Sequence, residues 1–96
     1  MANSNASPIQ THLQRFLETR QPPKTFCPSE VARALSNEEL QTEGAKEWRE
    51  VMPTVREVVW EMRDRGEVEV LQKGEVLAAD TTLDQVKGPI RVRKAV

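Results

Sequence analysis

The chain has a single cysteine, a single histidine and no long apolar run. A lone cysteine, Cys27, closes no internal disulfide, which fits a reducing, cytoplasmic setting. Too few cysteines and histidines are present for a structural zinc site, so no metal ligand and no cofactor is expected. No apolar segment approaches the roughly 18–20 residues that a membrane-spanning helix needs, and no membrane partner is expected. Met1 to Ser7 is small and polar, with neither a positive n-region nor an apolar stretch, and reads as a disordered tail rather than a secretory signal. No second histidine joins His12, which lies beside an apolar stripe and reads as solvated. No Ser/His/Asp or Cys/His set and no glycine-rich phosphate loop exists, so neither an enzyme nor a catalytic residue is expected.

What remains is one small domain over residues 8–96 of a 96-residue chain, long enough for a single core with little stability to spare. The net charge of −1 gives no bulk attraction for nucleic acid. Its distribution is uneven. Residues 1–35 carry four bases against two acids, whereas residues 36–52 carry five acids against two bases. Lys87, Arg91, Arg93 and Lys94 close the chain with no acid among them, a local basic patch rather than a global field.

Helix signals dominate the first two thirds. Ser7 is placed as an N-cap with Pro8 at the first helical position and Gln10 completing a capping box. Ile9, Leu13, Phe16 and Leu17 then form one amphipathic stripe, and Pro22-Pro23 follows as a stop. Lys24 to Cys27 reads as a short extended link with Phe26 inward and Cys27 at the N-cap of a second helix. Pro28, Glu30, Val31, Ala34 and Leu35 carry that helix, with Glu30 complementing its dipole. The acidic stretch 36–47 reads as a loop holding at most a short helical turn, with Ser36 and Glu39 as a capping pair. Trp48 to Met52 is a short turn packing Trp48 into the core. A further helix runs from Pro53, buries Val55, Val58, Val59 and Met62, and ends at Gly66.

Beyond Gly66 the period changes from 3.6 to 2. Glu67 to Val70 and Ile90 to Arg93 alternate polar and apolar, as two antiparallel, half-buried strands. Lys73-Gly74 marks a turn, residues 80–89 a longer loop, and whether Val76-Leu77 extends the hairpin stays open. The expected fold is therefore α+β: a winged helix-turn-helix, with a three-helix core and a C-terminal two-stranded β-hairpin wing.

The runs KTFCPSEVARAL, WREVMPTVREVVWEMRDRGEVEVLQKG and KGPIRVR resemble an uncharacterised bacterial family of domains of unknown function with a winged-helix fold, from Ile9 to Lys94. The resemblance brings no activity and no site residues. Neighbouring winged-helix families are mostly DNA-binding regulators, so it implies DNA binding by analogy alone.

Two functions follow as expectations. One is weak, regulator-like binding of double-stranded DNA. In it Arg56 and Arg63 of the helix 53–65 would enter the groove, while Lys73, Lys87, Arg91, Arg93 and Lys94 of the wing would grip phosphates. Against it, Glu57, Glu61 and Asp64 share that helix face, and Glu61 is in i,i+4 position to pair with Arg65. The other is a protein-interaction or dimerisation module, with a protein partner or a second copy held by an exposed Trp60 and the acidic 36–47 insertion.

Overall fold

A computed structural model describes residues 7–95. The proposed tail therefore lies outside the described residues except for Ser7, whose hydroxyl accepts from the Gln10 N–H at 3.1 Å and caps helix α1, Pro8–Thr19. Ile9, Leu13 and Leu17 are buried on its inner face. His12 is buried as well, only 6% exposed, because the segment 36–47 comes back over it. That segment is not merely a loop. Ser36 and Glu39 exchange backbone-to-side-chain bonds at 2.8 and 3.1 Å and nucleate a six-residue helix, α3, Asn37–Thr42. Leu40 then points into the core, and Glu39 Oε1 meets His12 Nε2 at 3.0 Å.

Helix α2, Pro28–Ala34, starts with Cys27 at its N-cap, where the Cys27 N–H donates to Glu30 Oε2 at 2.9 Å. A 3₁₀ turn, Trp48–Val51, leads directly into α4, Met52–Asp64, with proline in its first turn. Gly66 ends α4 with φ +78°. Its N–H reaches the Arg63 carbonyl and the Glu67 N–H reaches Met62, both at 2.9 Å, which satisfies the last carbonyls by the Schellman pattern.

The sheet is antiparallel and has three strands in the order β2-β1-β3: β1 Val68–Gln72, β2 Glu75–Val76 and β3 Arg91–Lys94. The two-stranded hairpin expected from alternation is thus corrected. Lys73 and Gly74 both take positive φ, 54° and 82°, the geometry of a tight primed turn that folds β2 back on β1. Two residues are too short to show a period, which is why alternation did not reveal β2. Beyond it, the Leu77 N–H still bonds Val70 at 2.9 Å.

Val68, Val70, Ile90 and Val92 face the helices, and with the stripes of α1, α2 and α4 they form one core. The link after α1 joins the far side of β3. Phe26 and Val92 exchange backbone bonds at 2.9 and 2.8 Å, so Phe26 is fully buried where the link crosses the sheet edge.

Candidate functional site

The cations singled out from the sequence do not form one surface. On α4, Arg63 is half-buried and folded onto the segment that follows β2. Its guanidinium donates to the Thr81 carbonyl at 3.1 Å and to the Ala78 carbonyl, and lies 5.0 Å over the Trp60 ring. Trp60 donates its indole N–H to the same Thr81 carbonyl at 3.3 Å. The segment 78–86 is therefore strapped along α4, with Leu83 and Val86 beside Met52, Pro53 and Arg56.

The strap overturns the placement of Trp60. Only 8% of the residue is exposed, so it is a core side chain shielded by its own chain, not an indole presented to a partner. The covering segment lies 21 residues downstream, beyond the reach of any local pattern.

Arg56 is half-buried on the groove between α4 and the strap. The exposed positions of α4 include Glu57, Glu61 and Asp64. Arg65 closes on Glu67 at 2.8 Å, whereas an i,i+4 pair with Glu61 was expected. What α4 shows to solvent is thus an acidic stripe, spaced at four and three residues.

On the sheet, register decides which cations are free. β1 and β3 set Glu69 opposite Arg93 and Leu71 opposite Arg91. Arg93 is neutralised by Glu69 at 2.7 Å. Among the described residues Arg91 has no acid at hydrogen-bond distance. It donates instead to the Thr25 hydroxyl at 3.0 Å and the Thr25 carbonyl at 3.2 Å, neutral partners that fix the guanidinium and leave its charge. Lys24, exposed, is the next residue along. Lys87 is drawn to the same end of the sheet, because Gln72 Nε2 donates to its carbonyl at 2.6 Å, and Lys73 occupies the adjoining turn. Lys94 is elsewhere. It pairs with Val68 at the far end of the ladder, about 10 Å along β3 at 3.3 Å per residue, against Gln14, Leu17 and Glu18 of α1.

The basic set therefore divides into Lys73, Lys87 and Arg91 at one end of the sheet, Lys24 beside Thr25 on the other side of the Phe26–Val92 bridge, a neutralised Arg93 and a remote Lys94. Lys24 was missed by the sequence reading; its only signal was its place in the extended link beside Phe26. Near Arg91, Glu30 is held below the usual carboxylate range. The Cys27 N–H contributes most, partial burial opposes it, and Arg20 at 3.1 Å and Arg91 assist. Among the described residues no three His, Cys, Asp or Glu side chains are grouped to hold a metal, and no helix is long and apolar enough to cross a membrane.

A family model described as "Protein of unknown function (DUF3253)" matches residues 6–95. The chain belongs to that family. No curated protein matches it. Membership in DUF3253 assigns no activity to any of these clusters, so function rests on their chemistry.

Proposed function

We propose that this domain is a winged-helix module that grips the phosphate backbone of double-stranded DNA weakly and without sequence preference, through the sheet-end cluster. The observation that carries the reading is Arg91, held by the Thr25 hydroxyl and carbonyl with no bonded acid among the described residues and only the more distant Glu30 in its field. Lys87 and Lys73 add flexible cations at that end of the sheet, and Lys24 adds one beside Thr25. Such groups give affinity by releasing counterions and carry no base information. The order helix, bridged link, three helices, two-stranded hairpin, strap and edge strand is compatible with a winged helix-turn-helix that carries an added short helix. The acidic stripe and the strap on α4 argue that this helix does not read bases, in contrast to the groove-reading roles expected for Arg56 and Arg63.

The test is titration of labelled duplexes of unrelated sequence at low salt. Wild type should bind all of them alike. Lys24→Gln/Arg91→Gln should lower the slope of log K against log salt by roughly two, at about 0.9 per lost phosphate contact. Absence of binding at about 50 mM salt, where counterion release still favours the complex, sinks the reading.

A second reading is a protein-interaction module, favoured by one observation: Glu57, Glu61 and Asp64 are exposed together on α4. Its partner would be a basic protein surface rather than a second copy joined through Trp60. Duplex binding that survives Lys24→Gln/Arg91→Gln, or that never occurs, turns the choice toward it.

A further inference from the structure

At the opposite end of α2 from Arg91, two arginines are stacked on one indole. The Arg33 guanidinium carbon lies 4.7 Å from the Trp48 ring centroid and that of Arg49 lies 4.6 Å from it. Both distances are well inside the roughly 6 Å over which a ring attracts a cation. Arg33 comes from the last turn of α2 and Arg49 from the 3₁₀ turn before α4, so the tertiary packing of these two elements makes the stack. Trp48 is half-buried and packed on the core, which holds the ring still.

The arrangement costs something unless it has use. Two like charges share one ring, and among the described residues the one ion pair either arginine makes is with Glu47. It pairs with Arg49 at 3.2 Å, between side chains 70% and 56% exposed, where an ion pair contributes little. Among the described residues Arg33 forms no ion pair at all. A guanidinium over a ring keeps N–H groups for other partners; Arg49 has one of them on Glu47, and Arg33 has none in an ion pair among the described residues. Those N–H groups form the fork that matches two oxygens of a phosphate group. Stacking also limits the side chain's freedom in advance, which reduces the ordering cost of binding.

We infer that Arg33 and Arg49, stacked on Trp48, form a second anion site that binds a phosphate group. This goes beyond the duplex-binding reading, because neither arginine belongs to the sheet-end cluster. The phosphate is that of a nucleic-acid backbone or of a free phosphorylated ligand; the recognising chemistry is the same.

The experiment uses Trp60→Phe, which leaves Trp48 as the one indole of a chain with two tryptophans. Inorganic phosphate is titrated at neutral pH against chloride of matched ionic strength, with Trp48 emission as the readout. A saturable change is expected with phosphate and not with chloride. In Arg33→Gln/Arg49→Gln the apparent affinity should fall at least about tenfold, since both forks are lost. Arg33→Lys, which keeps the charge and removes the fork, should weaken binding while leaving the fold intact. Adding a short duplex then separates the sources: displacement of phosphate from Trp48 assigns the site to the backbone, and no displacement assigns it to a free ligand. This signal does not depend on the duplex titration, so the proposed function can fail while the anion site stands. A phosphate response no different from chloride, or one unchanged in both arginine variants, overturns the inference.

Discussion

The Thr81 carbonyl accepts from both Trp60 and Arg63, at 3.3 and 3.1 Å, and this shared acceptor ties the strap to α4. Between Leu77 and Lys87 the remaining backbone bonds of the strap are local, three residues apart. Arg63 is accordingly the latch. Arg63→Ala should cost about 1.5–3 kcal/mol, the range for hydrogen bonds that involve a charged group. It should also raise acrylamide quenching of Trp60 and speed amide exchange of the bonded N–H groups of residues 81–86. Unchanged quenching and exchange would mean that Leu83 and Val86 hold the strap without it.

Core packing makes a sharper prediction. Leu13 is fully buried between α1 and the rest of the core. Leu13→Ala should cost about 2–5 kcal/mol, a large share of the roughly 5–15 kcal/mol that a domain has in total. Thermal unfolding reads it directly; a melting curve like that of wild type contradicts the helix-one packing.

Arg91 and Arg93 are two residues apart on the same strand, yet their charges differ in availability. Arg93 is compensated by Glu69 and Arg91 is not compensated by a bonded acid. Arg91→Gln should therefore reduce the salt dependence of duplex binding more than Arg93→Gln, and Glu69→Gln should strengthen binding by freeing Arg93. Equal losses from the two arginine variants would remove the distinction.

Acid sensitivity follows from Glu30. Its carboxyl is held below the usual range chiefly by the Cys27 N–H, with help from Arg20. A folded value lower than the unfolded one means that ionised Glu30 stabilises the fold above the unfolded glutamate pKa of about 4.3. That contribution is lost as pH falls through the lower folded value. Glu30→Gln should thus be less stable than wild type near neutral pH and lose less stability on acidification. Parallel stability–pH curves for the two proteins would contradict the assignment.

Much of the backbone was legible because its signals are local. Ser7 and Pro8 announce α1, Pro28 opens α2, Ser36 pairs with Glu39, and Gly66 ends α4 at a positive φ that favours glycine. Each depends on residues within about one turn of one another. The change to alternation after Gly66 placed β1 and β3 for the same reason, since side-chain direction along a strand follows from sequence position alone. The sequence by itself therefore determined α1, α2 and α4, and most of their inward faces. It did not determine which charges remain free. His12 is buried because α3 folds over α1, 27 residues away, Trp60 because of a carbonyl 21 residues downstream, and Arg91 is fixed by Thr25 across 66 residues. No periodicity encodes such contacts. They exist only once packing has brought distant segments together, and they decide which cations are spent and which remain to meet a ligand.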